Sequence, residues 1–179
     1  KALGIGVGDE VILPSHTFIA TAEAICHAGA KPVFCDINPL DYTIDYNHAN
    51  SKISKKTKAI IPVHIYGTPC DMNEILELAN KFSLYVIEDC AQSHFAKYKK
   101  RYIGTFGDAG TFSFYPGKNM GAFGDAGFIF FNKDKYKNLA TRLSNHGRLN
   151  KFDHEILGYN ERMDPIQAVV LSIKLKYIK

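Results

Sequence analysis

A lysine and a carboxylate, each expected just past the end of an apolar run, carry the chemistry this sequence offers. Lys118 stands in Ser113-Phe-Tyr-Pro-Gly-Lys-Asn119, after the apolar run 109–115 and before Gly121-Ala-Phe-Gly-Asp-Ala-Gly127. Pro116 has no N–H for a strand ladder and fixes its own φ, so it should end the strand. Gly117 lets the chain turn. A lysine presented there, beside apolar neighbours, has a destabilised ammonium and a more available amine. Schiff-base chemistry needs such an amine. The plain alternative is an exposed loop lysine, the default for any one of 22 Lys and Arg residues.

Asp89 closes the second run, Leu84-Tyr-Val-Ile-Glu-Asp89, with Gln92, Ser93 and His94 directly behind it. A lysine amine plus an acid at a strand end suggests a Schiff base with an aromatic electron sink. Pyridoxal phosphate requires a lysine, a carboxylate against its ring nitrogen, and a cradle of hydroxyls and backbone N–H groups for its phosphate. Lys118, Asp89 and Ser113 could supply one of each, and Phe18 could stack on the ring. Each has a plainer reading alone. Asp89 could cap a helix, Ser113 could merely alternate on a strand, and Phe18 could be core.

The elements that must position these residues read as an α/β chain. Expected strands cover 11–13, 32–37, 58–65 (interrupted at Pro62), 84–89, 109–115 and 127–132. Expected helices cover about 19–29, 46–54, one capped by Asp71, 134–145, and one from Pro165 capped by Asp164. The cluster Lys97-Tyr-Lys-Lys-Arg101 reads as a solvated hairpin or loop. Apolar strands alternating with helices imply a largely parallel sheet. Ligands bind such sheets beyond the carboxyl ends of the strands. Phe18, His64, Asp89 and Lys118 all fall just past expected strand ends, which is the main argument for a site.

Composition narrows the class. The chain has 179 residues, 46% of them hydrophobic, enough for one domain with a core. A net charge of +4 with scattered basic residues and no binding motif argues against nucleic acid. Four cysteines without CxxC spacing read as reduced, mostly buried thiols in a cytoplasmic protein. No apolar run approaches the roughly 20 residues of a membrane span. No metal is expected, because His16, His64 and His94 are dispersed. Neither a P-loop nor a Gly-x-Ser-x-Gly elbow occurs.

Several motifs then occur together in one order. They are residues 11–18 with Ala20-Thr-Ala22, Pro32-Val-Phe34, Pro62-Val-His-Ile-Tyr-Gly67, Asp71-Met72, Ile87-Glu-Asp-Cys-Ala-Gln92, 113–127, Asn145-His-Gly147 and Gly158-Tyr-Asn-Glu-Arg-Met163. Together they resemble the DegT/StrS family of pyridoxal-phosphate sugar aminotransferases, of aspartate-aminotransferase-like fold. The resemblance implies that Lys118 is the Schiff-base lysine and Asp89 the partner of the pyridine nitrogen. It implies that Gln92 contacts the cofactor near its ring hydroxyl, that Ser113 binds phosphate and that Phe18 stacks on the ring. Asn160 matches the asparagine that reaches the phosphate of a neighbouring subunit, which implies a homodimer with shared sites. His64 and His94 match positions near the pocket without an assigned role.

The resemblance further implies the central part of a large domain, with an N-terminal segment and a smaller C-terminal domain lying outside this sequence. The implied reaction is transfer of an amino group, with glutamate as donor, to a nucleotide-linked keto-deoxysugar. The stretch after Lys118 is similar to the branch that aminates C3 of dTDP-3-keto-6-deoxyhexoses, for cell-surface polysaccharide or deoxyaminosugar synthesis. Related dehydratases carry histidine in place of the lysine. Phe95 departs from the pattern, standing where the family usually has glycine. Two rivals are a catalytically silent cofactor-binding regulator of the same fold and an α/β binding module with no cofactor.

Overall fold

Turn chemistry and apolar patterning divide the chain into short strands and helices, and the computed structural model describes residues 1–178 of it. Strand β1 (Glu10–Pro14) leads to α1 (Ala20–Ala28) and β2 (Lys31–Cys35). Gly29 closes α1 in the left-handed region, with φ of 91°, and its N–H reaches the Ile25 and Cys26 carbonyls. Then follow α2 (Tyr46–Ser51), β3 (Thr57–Ile60), a 3₁₀ turn (Ile65–Gly67) and α3 (Met72–Phe82). The Asp71 side chain caps α3 by accepting from the Asn73 and Glu74 N–H groups. Strand β4 (Tyr85–Asp89) precedes a small antiparallel hairpin, β5 (Lys97–Tyr98) and β6 (Arg101–Tyr102). Strands β7 (Ala109–Ser113) and β8 (Gly127–Phe131) and helices α4 (Asp134–Leu143) and α5 (Pro165–Lys174) complete the order.

The main sheet has six strands in the order β2-β1-β3-β4-β7-β8. All pairs are parallel except β7 with β8. Apolar clusters cover both faces, as parallel sheets require. Val11 and Leu13 enter one cluster with Ala22 and Ile25 of α1. Ile12, between them, enters the other with Met72, Ile75, Leu78 and Ala79 of α3. That alternation is the period-two geometry of a strand. A third cluster, Met120, Ala122 and Leu171, ties the Lys118 loop to α5.

The expected α/β, largely parallel architecture is therefore the observed one, with local corrections. Strand β3 ends at Ile60, short of the expected Ile65, because Pro62 cannot join the ladder. The chain still follows β4 through an isolated bridge, Val63 to Asp89. Helices α2 and α4 stop at Ser51 and Leu143, earlier than expected. Asp164 precedes α5 but its side chain makes no capping hydrogen bond. Phe95 adopts a φ of 65°, which explains why glycine suits that turn.

One close approach constrains the loop between β6 and β7. A Cβ on Gly110 would lie 2.2 Å from the Gly104 carbonyl oxygen, and Gly104 itself has φ of 79°. Only glycine at 110 lets residues 103–107 lie against β7.

Candidate active site

Strands β1, β3, β4 and β7 run parallel, so their carboxyl ends form one edge. Phe18, His64, Asp89 and Lys118 follow or close these four strands. The structure thus brings the four to the edge where the sequence pattern puts them.

Asp89 is the last residue of β4. Its backbone is fixed on both sides: its N–H donates to the Pro62 carbonyl at 2.9 Å, and its own carbonyl accepts from the His64 N–H at 3.0 Å. Its carboxylate accepts from the Thr21 hydroxyl at 2.8 Å and from the Ala91 N–H at 3.1 Å. Among the described residues, no cationic side chain lies within 4.0 Å of it. A half-buried carboxylate with two neutral donors and no cation suits a positively charged ligand group.

Gln92 is oriented by its neighbour across the edge. Its Oε1 accepts the Tyr66 N–H at 2.9 Å, which leaves its NH₂ as the free donor. Tyr66 holds a strained left-handed backbone, φ 55° and ψ 22°, and its hydroxyl pairs with His16 Nε2 at 2.9 Å.

Lys118 closes a tight turn, its N–H donating to the Tyr115 carbonyl at 2.8 Å. The loop is pinned where the Ala122 N–H meets the Phe114 carbonyl at 2.7 Å. It is also pinned at Gly121, where a Cβ would sit 2.2 Å from the Pro116 oxygen. Ser113 ends β7, and its hydroxyl accepts from the Tyr115 N–H at 3.3 Å. Phe18 is 70% exposed in the loop before α1, leaving its ring free to stack. Asn160 lies in the loop between α4 and α5. It is exposed, bridged to Asn145 beyond the end of α4.

His94 packs between Phe112 and Phe114, at ring separations of 5.7 and 5.5 Å. Burial pushes its pKa below the usual imidazole range, and the nearby Lys118 charge adds to that. The Ser113 backbone lies close enough to oppose the shift, yet neither buried ring nitrogen has a partner in hydrogen-bonding geometry among the described residues.

Beneath the edge lies a second carboxylate that sequence reasoning passed over. Glu88 is fully buried. Its Oε1 accepts from the Phe106 and Gly107 N–H groups, both at 2.7 Å. Its Oε2 accepts from the Gly104 N–H at 2.6 Å and from His64 Nε2 at 3.2 Å. His64 Nδ1 accepts from the Cys70 N–H at 3.0 Å, so Nε2 is the donor to Glu88. Burial alone would raise the Glu88 carboxyl. Its hydrogen bonds from His64, Gly107 and Gly104 outweigh that and hold it below the usual carboxylate range. His64, Glu88 and Cys90 form a metal-like trio whose donor atoms all lie within 4.8 Å of one another. Glu88 already accepts at all its lone-pair sites, and burial pushes the Cys90 thiol up. The trio reads as architecture.

A profile of the DegT/DnrJ/EryC1/StrS aminotransferase family matches residues 1–179. The chain belongs to this family. It is 47% identical over 178 residues to a pleiotropic regulatory protein of Geobacillus stearothermophilus, covering 99% of this chain and 48% of that protein. It is 47% identical, with the same coverage, to a UDP-N-acetyl-3-dehydro-alpha-D-glucosamine 3-aminotransferase of Acidithiobacillus ferrooxidans. Among solved structures it resembles NtdA of Bacillus subtilis with bound cofactor PMP, at a TM-score of 0.92 and 37% identity. That match covers 98% of this chain and 40% of NtdA. The chain spans about half the length of the curated relatives it matches. Within the family fold, Asp89, Gln92, Ser113, Phe18 and Lys118 all flank the carboxyl edge of the sheet. Thr21 and Glu88 stand within the quoted motifs, but the motifs assigned neither a role. The signal for Thr21 was its place one turn after Phe18 in Phe18-Ile-Ala-Thr21.

Proposed function

We propose that this chain is the cofactor-binding part of a pyridoxal-phosphate-dependent nucleotide-sugar aminotransferase. The observation that carries this is Asp89, a carboxylate with neutral donors and, among the described residues, no cation within 4.0 Å, on the same sheet edge as Lys118. The residues present fit the cofactor. Asp89 would face its ring nitrogen, the free NH₂ of Gln92 an acceptor oxygen on the ring, and Ser113 its phosphate. Phe18 would cover a ring face and Lys118 would hold the cofactor covalently. When bound, pyridoxal phosphate supplies the electron sink for amino-group exchange.

The chain's own groups do the rest. Lys118 Nζ takes and returns the proton at the Cα of the amino donor. A positioned base of this kind contributes about 10²–10⁴-fold. The Asp89 charge would hold the ring nitrogen of the bound cofactor protonated. His94, biased by burial toward its neutral form, adds no second positive charge beside Lys118. The donor is glutamate and the acceptor a nucleotide-linked keto-deoxysugar, of the dTDP-3-keto-6-deoxyhexose class, aminated at C3. The relative from Acidithiobacillus named as a 3-aminotransferase supports position 3. Asn160, exposed on the loop before α5, would serve the phosphate site of a second copy in a homodimer. No helix among the described residues is long and apolar enough to cross a membrane. We place the reaction in the cytoplasm.

The test is borohydride reduction of the full-length protein with pyridoxal phosphate, followed by mass mapping. The cofactor mass on Lys118 is expected, and Lys118→Ala should abolish both the adduct and amino transfer. No adduct with cofactor in excess would favour the binding-module reading. The regulatory protein among the relatives supports one second reading, a cofactor-binding regulator. An adduct on Lys118 without 2-oxoglutarate formation from glutamate, across a panel of nucleotide-linked keto-sugars, would select it.

A further inference from the structure

Thr21 is buried in the first turn of α1, and its hydroxyl points away from its own helix. A helical threonine usually returns its hydroxyl to a carbonyl three or four residues back. Thr21 instead crosses to β4 and meets Asp89 Oδ2 at 2.8 Å, 68 residues away in sequence. A second hydroxyl stands behind it: Thr17 Oγ1 lies 2.8 Å from Thr21 Oγ1.

The direction of this chain follows from valence. A carboxylate only accepts, so Thr21 must spend its single hydroxyl proton on Asp89. Thr21 can then only accept from Thr17, so Thr17 donates. Two hydroxyls therefore point one way, toward Asp89, and each polarises the next. The Asp89 backbone is held by Pro62 and His64. Only the orientation of its carboxylate is left to be set. Thr21 fixes Oδ2 and the Ala91 N–H fixes Oδ1. The first turn of α1 also sets the positive end of a helix beside the carboxylate.

We infer that Thr21 is a positioning residue for Asp89, and that Thr17 reinforces it through a one-way hydroxyl chain. This rests on the reading of Asp89 as the partner of the cofactor ring nitrogen. Aiming matters because a charged hydrogen bond weakens steeply as its angle degrades. Thr21 thus sets how tightly the ring is gripped without touching it.

The experiment titrates the cofactor-free, full-length protein with pyridoxal phosphate and follows absorbance. Thr21→Val keeps the shape and removes the hydroxyl. It is expected to weaken cofactor binding about 10–150-fold, the equivalent of one lost hydrogen bond to a charged group. Thr21→Ser, which keeps the hydroxyl, should bind within about twofold of the parent. Thr17→Val, at a less buried position, should weaken binding about two- to threefold. Crystal structures of the cofactor-free parent and Thr21→Val proteins give an independent readout. The Asp89 carboxylate should turn from its Thr21-facing orientation in the variant. Unchanged affinity together with an unmoved Asp89 would overturn the proposal. Should Thr21→Val fail to fold, unchanged binding in Thr17→Val would overturn the chain, and weakened binding would sustain it. If the parent itself takes no cofactor, the functional reading fails, and the Asp89 orientation still decides the role of Thr21.

Discussion

Glu88 and Asp89 are consecutive residues of β4, both carboxylates, and the fold treats them in opposite ways. Adjacent strand residues face opposite sides of a sheet. Glu88 points into the body of the protein, where three backbone N–H groups and His64 saturate it. Asp89 stands at the strand end with two donors and unused acceptor capacity. The lesson is one of remaining valence. A carboxylate whose lone pairs are all spoken for can hold a loop but cannot meet a ligand. One left partly open, without a cation, can.

That contrast is open to direct attack. The largest effect is expected from Glu88→Ala, which strands the Gly104, Phe106 and Gly107 N–H groups in the interior. It should cost about 3–5 kcal/mol, a large share of a typical total of about 5–15 kcal/mol, read by urea denaturation of the full-length protein. Asp89→Ala should do the reverse. Its stability should stay within about 1 kcal/mol of the parent, while amino transfer falls about 10²-fold or more. An Asp89→Ala protein that unfolds but keeps its rate would erase the distinction.

Acid titration should separate the two next. The Glu88 carboxyl is held below its ordinary value of 4.5 in the fold. Its contribution is therefore present above about pH 4.5 and is lost as pH falls through the lower, folded value. Glu88→Gln should remove that acid-dependent component, and Asp89→Asn should leave it. The smallest effect concerns His94, an unsatisfied group inside the site. Its folded value lies below the ordinary 6.5, so between the two values the unfolded chain binds the extra proton. Stability should decline as pH drops through that window. His94→Phe should flatten the slope, measured by thermal melts from pH 5 to 8.

Much of this was legible from residue types and order. Strand ends followed by polar residues located Asp89, and the Pro-Gly turn located Lys118, because local backbone rules fix both. The Asp71 cap and the Gly29 stop were readable for the same reason. Glu88 was not. As sequence it was one more acid at a strand end, and three of its four donors come from a loop 16–19 residues later, the fourth from His64, 24 residues earlier. That loop reaches it only because Gly104 and Gly110 let two backbones touch. Thr21 was equally hidden, since its bond to Asp89 depends on the start of α1 meeting the end of β4, 68 residues on. Asp164 shows the opposite error: a residue favoured at helix starts whose side chain makes no cap. Local grammar gave the groups, and long-range packing decided which of them remained open.

Strand β8 has a further consequence. It lies at the end of the sheet and, among the described residues, pairs only with β7, and Phe128 and Ile129 are 50% and 53% exposed. An apolar strand with one unpaired flank is a template for another chain. Produced as this stretch alone, the protein should therefore gather edge to edge as its concentration rises. Light scattering would register that as turbidity well below the melting temperature. Purification losses would then report on this exposed flank, and say little about how well the sheet behind it is built.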